Sequence, residues 1–361
     1  MIADTCVFAQ LHQRAASVQP MRLFFVMAYL AATRLCYISS MNTTILEQRN
    51  DAIALATKVL PGSIAYHNIR PINVSQRFDG QTLLDVVVTS HPQIDRQTWL
   101  DWFAQGHILQ GETPVEPNRR VRGGQQYDHL FPDTIEPDVD ANIRVIYEDS
   151  DLVVVDKPAP LPMHPSGRFN KNSLTSILSS VYDGERLLTG HRLDANTTGV
   201  VLFLRNKDAA RIVQSQFDAG QVAKTYLARC WGHPADDTFV CEAPIAREPG
   251  RAGRRVVDVQ TGLPSKTEFS ISTRHPAGTC DVVAKPLTGR TNQIRIHLWH
   301  SGYPICGDPT YLPDHQLGVT QTRRLQDPPM CLHAAGLQLN HPRTGAAIEF
   351  RSQRTPQTLN W

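Results

Sequence analysis

The stretch GHRLDANTTGVVLF, from Gly190 to Phe203, sets one carboxylate, Asp194, between an arginine and a Gly/Thr turn directly ahead of an apolar run. A carboxylate so placed can bond to carbon or draw off a proton without a metal, provided that a pocket keeps water from intercepting the intermediate. Asp in a loop is also a common turn former, so the residue takes its meaning from its company. Upstream stands DKPAPLPMHP. Downstream stand KTYLA, with Tyr226, and LTGRTNQIRIHLWHSGYPICGDPTY, with Arg290, Arg295 and Asp308. A glycosidase would need a second acid at a set separation; Asp308 is available, but nothing in the sequence places it near Asp194. His297, His300 and Cys306 come nearest to a metal cluster. No second cysteine or acid falls at ligand spacing beside them, and no metal is expected.

These residues need elements to hold them. Val200 to Leu204 reads as a buried strand, and NKDAARIVQSQFDAG after it as a helix capped by Asn206 and stopped at Gly220, with Ala209, Ile212, Val213 and Phe217 as its apolar stripe. VAKTYLARC returns as a strand carrying Tyr226, and KTEFSIS alternates as a strand does. CDVVAKPLTGR leads into TNQIRIHLWHSG, a helix that Thr291 would cap and Gly302 would end, with Arg295 on it. IRVIYEDSDLVVVDKPAPLPMHP reads as a hairpin feeding an irregular loop, and HAAGLQLNHPRTGAAIEF closes the chain as another hairpin. Strands outnumber helices and join mostly through short turns. The fold class is therefore α+β: a mixed, largely antiparallel sheet with flanking helices, plus a small N-terminal α/β module.

That module spans residues 66–130 and shows two amphipathic helices, one with Leu83, Leu84, Val87 and Val88, the next with Trp99, Trp102 and Phe103, followed by strand-like pieces. Residues 131–142, acidic and proline-bearing, read as a linker. Residues 143–361 then form the main domain, and residues 1–65 an N-terminal extension.

The 361 residues, 41% hydrophobic and 19% charged, exclude a disordered chain and suggest two domains. Seven cysteines with no C-x-x-C pair exclude a disulfide framework. A net charge of +2 would not hold a nucleic acid by itself, yet from His191 to His300 there are 15 Lys and Arg against 10 Asp and Glu, an excess that suits an RNA-facing surface. The run REPGRAGRR, from Arg247 to Arg255, is its expected mobile contact. LFFVMAYLAATRLCYI is too short for an ordinary transmembrane helix and is followed by no clear cleavage pattern. The first forty residues read as an upstream extension ahead of Met41, and the protein as cytoplasmic.

Taken in order, DKPAPLPMHP, HRLDANTTG, KTYLA and TGRTNQIRIH followed by GYPICGD resemble the motifs of the RluA family of RNA pseudouridine synthases, over about Ile143 to Phe350. The small module loosely resembles the S-four-like RNA-binding domain, through IDRQTWLDW and HILQGE. The resemblance implies the pseudouridine synthase fold and an isomerase that detaches uracil from its ribose, rotates it and rejoins it through carbon 5, with no cofactor, in ribosomal or transfer RNA. It implies Asp194, Tyr226 and Arg295 as catalytic residues, and His191, Arg192, Thr198, Arg290 and Ile294 as substrate-binding residues. It also implies a monomer with RNA as partner, away from membranes.

Asp at neutral pH is ionised without help, since its ordinary pKa is about 3.9. Burial under a base can raise a carboxyl by up to about 3–5 units, and an adjacent Arg lowers it by about 1–3. Arg295 would then keep a dehydrated Asp194 charged. Tyr226 would give the uracil a flat ring and a hydroxyl. A uridine in a helix must first be extruded, and Arg192 could fill the vacated space. Three positions depart from the family pattern: Thr198 stands for Ser, Asn292 for His and Asp156 for Asn. The competing reading is a catalytically inactive RNA-binding or ribosome-assembly factor.

Overall fold

The computed structural model describes residues 43–250, 254–319 and 322–361. The apolar segment of the first forty residues and Arg251 of the basic run lie outside the described residues. Among those described, no helix is long and apolar enough to cross a membrane.

A helix over 43–56, α1, belongs physically to the main domain although the sequence groups it with the extension. Ile53 is buried in that domain's core, Arg49 forks onto Glu148 and donates to the Val181 carbonyl, and Asn50 exchanges two hydrogen bonds with the Val145 backbone.

The small module contains β1 (Tyr66–Asn73), α2 (Leu83–Ser90), α3 (Arg96–Ala104), β2 (Ile108–Gln110), β3 (Thr113–Pro114) and β4 (Gln126–Thr134). Its antiparallel sheet runs β1-β4-β2-β3. Thr82 and Asp95 cap the two helices by accepting the N–H of Asp85 and Thr98. The apolar stripes of both helices, with Leu83, Val87, Trp99 and Phe103, close over Ile108 and Tyr127.

The acidic segment that follows is docked rather than free. The Glu136 carboxylate is buried and accepts the backbone N–H groups of Asn170, Lys171 and Asn172, each at 2.8 Å, together with the Tyr66 hydroxyl. Composition hid this, because one buried acid with several donors reads like any other linker acid.

The main domain adds β5 (Arg144–Glu148), β6 (Leu152–Lys157), α4 (Leu174–Val181), β7 (Leu188–Thr189), β8 (Thr198–Leu204), α5 (Lys207–Asp218), β9 (Ala223–Trp231), β10 (Thr238–Cys241), β11 (Thr267–His275), β12 (Thr279–Pro286), α6 (Gln293–His300), β13 (Leu332–Asn340) and β14 (Ala347–Arg351). Ten strands make one sheet, ordered β10-β11-β12-β9-β13-β8-β6-β5, with β14 on β13 and β7 on β8. All pairs are antiparallel except β8 with β13, so the chain is α+β with the mixed sheet expected.

The apolar runs LVVVDK and TGVVLFL carry no polar face because both sides of the sheet are covered. Val153, Val155, Val201 and Phe203 meet α1 and α4 on one side, while Leu152, Val154, Val200 and Leu202 meet α5 on the other. Asn206 caps α5 by accepting the Ala209 N–H at 2.8 Å, and Gly220 ends it at φ +67°. At the single parallel joint Gly199 sits opposite Ala334 with φ +116°, where a Cβ would lie 2.2 Å from the Ala334 carbonyl oxygen. Only glycine permits this approach, which explains why a glycine leads the strand after Asp194.

The start of α6 differs from expectation. Its N-cap is Asn292, not Thr291, in the left-handed region at φ 58°, a conformation that Asn tolerates better than most residues. No side chain caps the first turn; the Gln293 side chain instead ties the start of the helix to the segments before it. Its oxygen accepts the Arg290 N–H and the Thr288 hydroxyl, and its amide donates to Lys266 O and Thr267 Oγ1.

Candidate active site

Asp194 lies in the turn between β7 and β8, where its carbonyl accepts the Thr197 N–H. The turn is fixed from below. Lys157, fully buried at the end of β6, donates from Nζ to the carbonyls of Pro158 (2.9 Å), Leu161 (2.8 Å) and Ala195 (3.2 Å), and the Leu161 N–H donates to the Ala195 carbonyl as well. Burial pulls the Lys157 pKa down to about 7, against a smaller opposing pull from the Asp194 charge. Three carbonyl acceptors match the three donors of an ammonium, so the geometry is that of the charged form.

Arg295 comes from α6, 101 residues further along the chain, and donates from Nη1 to Asp194 Oδ2 at 2.9 Å. Its other edge forks onto Asp308, with Nε to Oδ2 at 2.7 Å and Nη2 to Oδ1 at 2.8 Å. Asp308 is itself held by the backbone N–H groups of Thr310 and Tyr311, and the Tyr311 ring lies under the guanidinium, 5.0 Å from it. The side chains of Arg295 and Asp308 are 5% and 0% exposed, whereas that of Asp194 is 25% exposed. Burial alone would lower the Arg295 pKa; the charges of Asp308 and then Asp194 outweigh it and push it above the ordinary value. The Asp194 carboxylate thus stands at the opening of an otherwise buried array, and complete dehydration falls to whatever binds there.

These residues open onto a cavity of about 600 Å³ that Asp194, Tyr226, Arg295, Ile294, Arg290, Arg192 and His191 all line. Tyr226 projects from β9, and burial, followed by the Asp194 charge, raises its pKa well above the ordinary tyrosine value. Its phenol keeps its proton at neutral pH and can donate. Arg290 donates from Nε to the Pro264 carbonyl, while Arg192 is exposed at the mouth.

His191 lines the wall, but its Nε2 accepts the Leu202 N–H at 3.2 Å, and burial pulls its pKa down to about 4. It is a neutral prop for the Asp194 turn. Thr198 is the one sequence-named residue outside this lining: its hydroxyl meets Nδ1 of the buried His333 at 2.8 Å. Thr197 lines the cavity instead. Sequence reading also passed over Lys224, a partly buried cavity residue that donates to the Thr288 carbonyl, although its place two residues before Tyr226 in KTY pointed to it. Asp308 had been weighed only as a second glycosidase acid, yet it serves Arg295.

His297 does not behave as a metal ligand. Its Nδ1 meets Thr267, and its Nε2 meets Ser265 and the Ala243 carbonyl. Among the described residues Asp149, Asp151 and His341 converge, but Arg343 forks onto Asp151 and two backbone N–H groups and the Tyr147 hydroxyl occupy Asp149. That cluster is a set of ion pairs at the β5–β6 turn.

Comparison with known proteins gives the family of the chain. The RNA pseudouridylate synthase family matches residues 151–300, which include Asp194, Tyr226 and Arg295. The dual-specificity RNA pseudouridine synthase RluA of Yersinia pestis is 33% identical over 209 residues, 58% of this chain and 98% of that protein. The chain belongs to the RluA family of RNA pseudouridine synthases. Another member of the family, RNA pseudouridine synthase 7 of Arabidopsis thaliana, is 29% identical over 253 residues, 67% of this chain; the match spans only 63% of that plant protein. The solved structure of human RNA Pseudouridylate Synthase Domain Containing 1 aligns with a TM-score of 0.49 at 28% identity, covering 62% of this chain and 89% of that one.

Proposed function

We propose that this protein converts uridine to pseudouridine in ribosomal or transfer RNA, with Asp194 as the reacting carboxylate, as a cytoplasmic monomer needing neither metal nor cofactor. The observation that carries the reading is the array Asp194–Arg295–Asp308 facing Tyr226 across one cavity. In the reaction the bond from uracil N1 to the ribose breaks, a bond from carbon 5 to the same ribose carbon forms, carbon 5 gives up its hydrogen and N1 gains one. Atoms balance without an external reagent.

An extruded uridine in the cavity would cover the exposed part of Asp194 and remove the remaining water. Asp194 then acts by bonding to the ribose or the base, or by drawing off the proton. Arg295 holds its oxygen in place and keeps a positive charge beside it, itself fixed by two bonds to the buried Asp308. Tyr226 lies against the uracil and offers its proton to developing negative charge. Arg192 and Arg290 meet the flanking phosphates, and the small module guides the RNA toward the cavity. A catalytically inactive RNA-binding factor is disfavoured, since it would have no use for Asp194, Arg295 and Tyr226 lining one cavity.

Bulk RNA labelled with tritium at uracil carbon 5, taken from cells lacking the gene, tests this. Wild type is expected to release tritium and Asp194→Asn to release none above background. Equal release by both would remove Asp194 from the chemistry, and no release by wild type would remove the activity.

A further inference from the structure

A second cavity, of about 440 Å³, lies on the other side of Asp194 and shares with the first the wall formed by Arg192, Leu193 and Asp194 on one side and Thr291, Asn292 and Arg295 on the other. We infer that this second cavity is a subsite for the base next to the target uridine in the RNA strand. The inference rests on the proposed activity and goes beyond it by assigning a second base-binding site.

Three observations carry it. The first is position. A uracil seated against Tyr226 stays joined to its neighbours through its own ribose and phosphates, and the second cavity begins across the wall of Arg192, Leu193 and Asp194, within reach of an adjoining nucleotide. The second is chemistry. Its lining pairs apolar Pro162, Met163 and Leu193 with the buried polar side chains of Asn196 and Thr310, and the more exposed His164, Ser166, Arg254 and Thr322. A phosphate alone has no use for apolar side chains. A base has: its face packs on apolar side chains or lies under imidazole and guanidinium planes, and its edge meets amides and hydroxyls. His164 is exposed, and the partial desolvation of its ring, then the positive Arg192, lower its pKa from the ordinary histidine value. The third is connection. Thr310 gives its backbone N–H to Asp308 at 2.8 Å, so the loop that fixes Arg295 also walls the second cavity, and Arg254 is tied across to the Gly318 carbonyl. A base seated here would press on the loop that orients the reacting carboxylate. Enzymes acting on extruded bases commonly choose substrates by contacts to the flanking nucleotides.

The test uses RNA cut to the modified site, once pseudouridine mapping with and without the gene has named it. Short RNAs carrying the tritiated target are made intact, with an abasic ribose on its 5′ side, and with one on its 3′ side; each keeps every phosphate. For wild type, one of the two abasic RNAs is expected to lose at least about fivefold in kcat/KM, in keeping with the worth of one stacked base, and the other to lose much less. His164→Ala and Arg254→Ala should each lose activity on intact RNA and lose little further on the sensitive abasic RNA. Indifference of wild type to both abasic RNAs overturns the inference. So does a loss in the variants that is equally large on intact and abasic RNA, which would mark a contact to phosphate or a role in folding. Should Arg254→Ala fail to fold because the Gly318 tie is lost, His164→Ala at its exposed position decides. Absence of tritium release from any RNA would overturn the proposed activity instead, which keeps the two failures distinct.

Discussion

Arg295 spends its donors unevenly: two go to Asp308, while one nitrogen is left for Asp194 and Asn292. A guanidinium fork matched to a buried carboxylate cannot rotate without breaking both bonds, so Asp308 fixes the direction from which Asp194 is held. It also offsets the charge of Arg295, leaving the trio with one net negative charge on the group that faces the cavity. Asp308→Asn keeps the size and removes the charge, which strands Arg295 beside one partly exposed carboxylate. Breaking a buried pair in this way costs about 3–5 kcal/mol. The expected outcome is a clear fall in thermal midpoint and at least about a tenfold fall in tritium release from the folded fraction, with kcat affected more than KM because Asp308 does not line the first cavity. An Asp308→Asn protein that melts and turns over like wild type would show that Arg295 is oriented by something else. Part of this site was legible in the sequence. Asp194, Tyr226 and Arg295 stand in recognisable local strings, whereas the bond between Arg295 and Asp308 depends on a loop returning under a helix, and no spacing rule conveys that.

At the scale of elements, what the sequence conveyed best were the segments whose packing is local. Asn206 and Gly220 bracket α5 as read, since both ends are decided within a few residues. The start of α6 differs because no side chain caps it: Asn292 enters the helix in the left-handed region and Gln293 anchors the entry to the preceding loop. The division near residue 65 was blurred for a related reason: α1 has an unremarkable sequence, and only its tertiary partners reveal its role. Ile53 packs among Val145, Val153 and Leu178, on the same face of the sheet whose strands β6 and β8 flank the Asp194 turn. Ile53→Ala should therefore cost about 2–5 kcal/mol, the usual price of emptying a core position, and lower the midpoint of urea unfolding of the main domain. If the midpoint does not move, α1 is an appendage and the extension begins where composition placed it.

At the scale of the whole molecule, three histidines, His129 and His333 buried and His191 half-buried, tie stability to pH. Burial is the leading cause in each case and pulls His129 in the small module, His191 beside the Asp194 turn and His333 on β13 down to about 4. An unfolded histidine titrates near 6.5. Between pH 6.5 and 4 the unfolded chain binds protons that the native state refuses, so stability rises with pH across that window and falls as pH drops through it. Each pKa unit is worth about 1.4 kcal/mol, so these groups together weigh measurably against the roughly 5–15 kcal/mol that holds an ordinary domain. The loss also reaches the site: a protonated His191 has no lone pair left on Nε2 to accept the Leu202 N–H, and the turn carrying Asp194 loses that support. Urea unfolding at pH 7, 6 and 5 should show a steadily falling free energy, with tritium release at pH 5 declining reversibly. His191→Gln can still accept the N–H through its amide oxygen and does not titrate, so its stability should fall less steeply over the same range. A wild-type unfolding free energy that stays level from pH 7 to 5 would mean that these rings take up protons in the folded protein as readily as in the unfolded chain, and that the support of the Asp194 turn lies elsewhere.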